Sequence, residues 1–178
     1  MKHIGVIGGG AWGTALAQVA SAGGPVTLWA REPEVVEGIN GAHVNDAFLP
    51  GVPLDPSVRA TGDLGELAAC DAWLVVTPAQ FLRAVLAQAP VDARRPLVLC
   101  SKGIEAGTGE LMSEVAADAV PGAPIAVLSG PTFAHEVAKG LPTAITLACS
   151  DEGAGTALAE RLARPTFRPY ASDDVIGA

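Results

Sequence analysis

Aromatic residues are scarce in this chain of 178 residues, only 4%, so no surface rich enough to stack nucleobases is available. Cations are scarce too: eleven Lys and Arg against nineteen Asp and Glu leave a formal charge of -8. No basic cluster exists to track a phosphate backbone, and nucleic acid is excluded as a partner on both grounds. The three cysteines, Cys70, Cys100 and Cys149, are odd in number and far apart. None belongs to a C-x-x-C or Cys/His ligand spacing, and two follow apolar runs, so they read as buried small hydrophobes. His3, His43 and His135 are equally scattered, which leaves no metal site to assemble.

Long uninterrupted hydrophobic runs are missing as well. Ile4 to Ala30 carries no charge and follows Lys2, the outline of a signal peptide. Gly8-Gly9-Gly10 breaks that run, and Gln18, Ser21 and Pro25 dilute the rest. No segment offers the roughly 20 apolar residues of a membrane helix. The expectation is a soluble, cytoplasmic chain with no membrane span. What the sequence does have is apolar content: 49% hydrophobic against 17% charged residues, with mean hydropathy +0.36. That balance excludes disorder and predicts one packed domain over residues 1–178.

Apolar periodicity alternates between the two regular structures. Short β-branched runs predict strands at Lys2–Gly8, Pro25–Trp29, Ala72–Thr77, Pro96–Ser101, Ile125–Leu128, Ala144–Ala148 and Phe167–Tyr170. Helices are predicted at Trp12–Ala22, Glu32–Gly38, Leu64–Ala69, Ala79–Gln88, Thr108–Ala119, Thr132–Lys139 and Glu152–Leu162. Strands separated by helices imply βαβ units: a doubly wound, mostly parallel α/β sheet with helices on both faces. Asn40–Gly62, rich in Gly, Pro and Asn, has no predicted element, and so long a loop is often functional.

Gly8-Gly9-Gly10-Ala11-Trp12-Gly13 contains G-x-G-x-x-G between the first predicted strand and helix, the context that turns a short pattern into a dinucleotide-binding signal. In that setting Gly8 permits the tight turn, Gly10 lets the backbone approach a pyrophosphate, and Gly13 allows close helix–strand packing. The diphosphate would rest on free N–H groups at the helix N-terminus. The alternative is a plain strand–helix turn. Arg31, the first polar residue after the second strand, is placed to meet a ribose 2′-phosphate with a planar fork, which favours NADP. Glu32 keeps NAD possible, and a solvated Arg31 paired with Glu34 is the other reading.

Several longer stretches resemble NAD(P)-dependent glycerol-3-phosphate dehydrogenase of the bacterial type. They are Gly8 to Ala17, Leu28 to Arg31, Asn45 to Gly51, Val76 to Phe81, Ser101 to Glu105, Leu128 to Ala134, Leu141 to Ala144 and Asp174 to Gly177. Trp12-Gly13-Thr14-Ala15 combined with Ser129-Gly130-Pro131-Thr132-Phe133-Ala134 is far more specific than the glycine motif. The resemblance implies a Rossmann-type domain that serves reduction of dihydroxyacetone phosphate to sn-glycerol 3-phosphate for phospholipid synthesis. It implies that Ala11, Trp12, Arg31, Phe81, Lys102 and Ala134 contact cofactor, and that Lys102, Gly130 and Thr132 contact substrate. Each has a plainer reading: Phe81 as core packing, Lys102 as a surface lysine in a turn, Ser129 or Thr132 as a helix cap.

The family's general-acid lysine lies in a Gly-Gly-Ala-Val-Lys-Asn-like segment that opens a helical substrate domain. No lysine follows Lys139 here, so the expectation is a cofactor-binding domain without that helical partner, with little or no turnover. A homodimer is expected of the full-length enzyme, and an exposed apolar face where the second domain docks. Two rival readings remain: a dehydrogenase domain of 6-phosphogluconate, 3-hydroxyacyl-CoA or ketopantoate type, and a non-catalytic nucleotide-binding module.

Overall fold

The computed structural model, which describes residues 1–178, contains eight strands and six α-helices. The order is β1 (Ile4–Ile7), α1 (Ala11–Ser21), β2 (Val26–Trp29), α2 (Pro33–Ala42), β3 (Val58–Thr61), β4 (Ala72–Val75), α3 (Leu82–Leu86) and β5 (Leu97–Leu99). It continues with α4 (Met112–Ala119), β6 (Ile125–Ser129), α5 (Ala134–Ala138), β7 (Thr143–Cys149), α6 (Glu152–Leu162) and β8 (Phe167–Ser172). All eight strands join one sheet in the order β3-β2-β1-β4-β5-β6-β7-β8. Strand order reverses direction at β1, which opens a crevice beyond the carboxyl ends of β1 and β4, where such sheets bind ligands.

Alternating side chains of the central strands feed two cores. Ile4, Val6, Leu74, Val98 and Leu128 join the larger one, beneath α1, α2, α5 and α6. Ile7, Trp73, Val75, Leu97 and Leu99 join the smaller one, beneath α3 and α4. Arg95 closes the edge of the smaller core. Its guanidinium lies 4.5 Å above the Trp73 ring and donates to the carbonyls of Cys70, Pro90 and Ala68 at 2.8–2.9 Å.

Four features depart from the sequence expectation. The loop Asn40–Gly62 hides β3, an edge strand whose outer side is completed by Asn40. The Asn40 amide donates to Ala60 O and accepts from Ala60 N at 2.8 and 2.9 Å, so a side chain supplies the pairing a neighbouring strand would make. β7 runs antiparallel to β6, while β8 is parallel to β7. The helix expected from Thr108 begins only at Met112, because Gly107 and Gly109 sit at φ 93° and 79° and Thr108 turns back to bond Glu105. Leu64–Ala69 is a 3-10 turn, as is Ala79–Phe81 ahead of the short α3.

Cys70, Cys100 and Cys149 are buried and free, as their apolar surroundings in the sequence imply. Burial pushes the Cys70 thiol up to about 11 and raises Cys100 and Cys149 in the same direction. A thiol whose folded pKa is raised contributes stability that is present below its unfolded value, near 8.5, and is lost as pH rises toward the folded value. Urea titrations should therefore show stability falling between about pH 9 and pH 11, with a shallower fall in Cys70→Ala. Alkylation by iodoacetamide at pH 8 should be slow until the chain unfolds.

Candidate functional site

The crevice is built on the turn from β1 to α1. Gly8 sits at φ 126°, a conformation other residues rarely adopt, and a Cβ there would press on the Val76 carbonyl. Gly13, in the first turn of α1, faces the Gly8 carbonyl so closely that a Cβ would overlap the oxygen. Helix and strand therefore approach at backbone distance. Gly10 differs: it is exposed, and a Cβ there would meet nothing within 4 Å. Its missing side chain leaves space over the cleft that no group of the chain fills.

Helix α1 offers that space its positive end. No side chain caps its N-terminus, and its first turn holds no acidic residue. Its other end is covered: Arg161 donates to Ala20 O at 2.8 Å and Arg164 to Val19 O at 3.2 Å, both from the α6 region. The free donors thus lie where an anion can reach them.

Gly8, Gly10, Arg31 and Phe81 line one cleft, with Trp29, Phe48 and Thr77 among its other walls. Phe81 is 56% exposed, which removes core packing as its role. Arg31 pairs with Glu32 at 3.0 Å and not with Glu34, and its side chain is 79% exposed. Such a pair is weak enough to open for a ligand. The Thr77 hydroxyl is buried with no partner although Thr77 faces this cleft. An orphaned hydroxyl and an empty space at Gly10 both fit a bound dinucleotide.

A second cleft gathers Trp12, Lys102, Gly130 and Thr132 with Cys100, Leu128 and Ser129. Lys102 follows β5 and Gly130 follows β6, so both lie at carboxyl ends of parallel strands. Thr132 caps nothing: its N–H bonds Gly130 O at 3.0 Å, and α5 starts only at Ala134 with no side-chain cap. Ser129 is likewise no cap. Ala11 and Ala134, the first residues of α1 and α5, are half-buried and line neither cleft.

The Lys102 loop is held from the other side of the crevice. Gln80 donates to Ile104 O and accepts from Ala106 N, both at 2.8 Å. Arg83 forks onto Glu105 at 2.9–3.2 Å and reaches Glu110. The hydrogen-bonded Arg83 guanidinium holds the Glu105 carboxyl below the usual carboxylate range. The segment that presents Phe81 therefore also fixes the loop that presents Lys102.

Residues 3–155 match the family model described as NAD-dependent glycerol-3-phosphate dehydrogenase N-terminus. The chain belongs to this family. A relative from Caulobacter vibrioides, glycerol-3-phosphate dehydrogenase [NAD(P)+], is 62% identical across 99% of the chain and 54% of its own length. The enzyme of that name from Rhodospirillum rubrum is 61% identical across 100% of the chain and 52% of its own length. The crystal structure of glycerol-3-phosphate dehydrogenase from Coxiella burnetii superposes with TM-score 0.91 at 36% identity, covering 99% of this chain and 55% of that one. The chain thus spans about half the length of the family members it matches.

Thr77 and Phe48, which line the first cleft, and Asn45, whose buried amide donates to the Gly9 carbonyl, are residues that the sequence patterns alone do not single out. Thr77 ends an apolar strand and reads as part of it. Asn45 and Phe48 lie in the stretch without predicted elements, where only the family resemblance marks them.

The three glycines separate fold from binding. Gly13→Ala is expected to destabilise the chain by roughly 1–3 kcal/mol or more, since backbone must move. Gly10→Ala should stay within about 1 kcal/mol of wild type. Thermal and urea denaturation of the two variants side by side checks the contrast.

Proposed function

We propose that residues 1–178 form the dinucleotide-binding domain of a dehydrogenase that interconverts dihydroxyacetone phosphate and sn-glycerol 3-phosphate. The observation that carries this reading is the glycine turn: Gly8 and Gly13 are closed by the fold, while Gly10 stands open beneath an uncapped helix end. Gly10, Ala11 and Trp12 would hold the diphosphate through their N–H groups. Arg31 would take a ribose 2′-phosphate, which favours NADP; Glu32, at the start of α2, leaves NAD possible. Phe81 and Phe48 give the cleft apolar walls, and Thr77 supplies a hydroxyl that the chain itself leaves unused. Ala134 belongs to the same reading through the close packing of α5 on α1.

The nicotinamide nucleotide, when bound, supplies or accepts the hydride. This chain's own residues do the positioning. Lys102 brings a cation to the second cleft, where it holds an anionic substrate or polarises its carbonyl. Gly130 and Thr132 offer backbone and hydroxyl contacts beside it. The reading extends to a homodimeric, cytoplasmic full-length protein; no helix of the chain is long and apolar enough to cross a membrane.

Fluorescence titration with NADPH and, in parallel, NADH tests the cofactor site. NADPH should bind about tenfold tighter, near 1.4 kcal/mol, and Arg31→Ala should remove that preference. Equal affinities in wild type would make Arg31 a bystander, and absence of both binding curves would sink the reading. The same titration of Gly10→Ala should show at least about tenfold weaker binding of both nucleotides.

Reduction also needs a proton for the developing alkoxide, and a positioned acid contributes roughly 10²–10⁴-fold. The 178 residues contain no lysine beyond Lys139, and Lys102 is assigned to binding. NADPH oxidation by this chain with dihydroxyacetone phosphate is therefore expected at or near background. Ordinary enzyme rates in a spectrophotometric assay at 340 nm, a wavelength set by the nucleotide, would refute this division of roles.

A further inference from the structure

A glycine-rich turn accepts either orientation of its peptide planes, because glycine populates both signs of φ. An anion site needs one orientation only. At the Gly9–Gly10 peptide, carbonyl and N–H point to opposite sides of a planar trans unit. If the carbonyl faced the crevice, it would meet a diphosphate with a partial negative charge. Something must therefore hold the Gly9 carbonyl inward.

Asn45 does so. Asn45 is almost completely buried, with 1% exposure, in a loop whose Leu49, Val52 and Leu54 also reach the core. Its amide donates to Gly9 O at 2.8 Å and to Thr14 Oγ1 at 2.7 Å. Its own oxygen accepts from Phe48 N at 3.2 Å, and its backbone carbonyl accepts from Leu49 N at 2.7 Å. The Thr14 hydroxyl reaches Gly9 O at 3.4 Å. Every polar atom of this buried amide is thus spent on two things: the inner face of the glycine turn, and the turn that carries Phe48 to the cleft. A buried amide placed for core packing would not need that pattern, and an apolar residue of its size would serve.

We propose that Asn45 is the positioning residue of the diphosphate site. It pins the Gly9 carbonyl away from the crevice, which turns the Gly10 N–H toward it before any ligand arrives, and it ties that orientation to Phe48. The proposal rests on the dinucleotide reading above. Preorganisation of this kind raises affinity because the ordering is complete before binding.

Asn45→Asp tests it with an almost isosteric change, since a carboxylate cannot donate to Gly9 O. The 178-residue chain is titrated with NADPH and with adenosine 2′-phosphate, which carries the ribose phosphate but no diphosphate. Asn45→Asp is expected to weaken NADPH about tenfold, the equivalent of 1.4 kcal/mol, and to leave adenosine 2′-phosphate within about twofold. Thr14→Val, which removes the hydroxyl at constant shape, should weaken NADPH in the same selective way, and Thr14→Ser should restore it. Should Asn45→Asp fail to fold, the Thr14 pair decides. Equal loss for both ligands, or no loss for either, would overturn the assignment and leave Asn45 a structural residue. Wild-type chain that binds adenosine 2′-phosphate but not NADPH would reject the diphosphate site itself, and wild-type chain that binds neither would reject the underlying reading.

Discussion

The approach of α1 to β1 at Gly13 is the constraint on which the rest of the architecture depends. Because a hydrogen is all that separates Gly13 from the Gly8 carbonyl, the helix begins directly over the carboxyl end of the strand. A side chain there would lift the first turn and carry its N–H groups out of reach of the crevice. Gly8 and Val76 repeat the condition one strand over, where the β1 exit passes close to the backbone after β4. The place of the helix end is therefore a by-product of backbone contact, to which the Asn45 amide adds its bond to the Gly9 carbonyl. Close packing transmits such small displacements without absorbing them.

Electrostatics works against the same site globally and for it locally. The chain carries a formal charge of -8, which repels a polyanionic nucleotide at long range. At short range the uncapped end of α1 and the cation of Lys102 reverse the sign, each within a crevice whose walls are partly apolar. The two arginines at the far end of α1 satisfy carbonyls that would otherwise face the α6 packing surface. Helix α1 is thereby finished at one terminus by the protein and left unfinished at the other. Long-range repulsion is screened over about 10 Å at 0.1 M salt, whereas direct N–H contacts are not.

Most of the sheet was legible because buried parallel strands are nearly continuous apolar runs, as in Leu97–Leu99, and because glycines mark their exits. The glycine motif and Arg31 stand out by their place after such a run, whereas Phe81, Lys102, Gly130 and Thr132, which line the two clefts, are singled out by the family resemblance. What escaped notice depends on partners distant in the chain. β3 is short and polar at Arg59, and becomes a strand only through β2 on one side and the Asn40 amide on the other. The direction of β7 follows from a connection through α5 that returns the chain antiparallel to β6, which no local pattern encodes. The start of α4 is displaced by two left-handed glycines that resemble helix-tolerant positions in composition alone. Asn45 is the sharpest case, since its three side-chain partners lie 3, 31 and 36 residues away.

The open space at Gly10 has a consequence for how such a domain is inherited. Gly13 and Gly8 are held by the fold, so any lineage that keeps the protein intact keeps them, whatever the protein is used for. Gly10 is held by nothing in the chain. A descendant that abandoned nucleotide binding would lose Gly10 freely while preserving its neighbours, and the domain would look unchanged in outline. On the dinucleotide reading, glycine at that one position would be a record of use, distinct from the record of folding written three residues later.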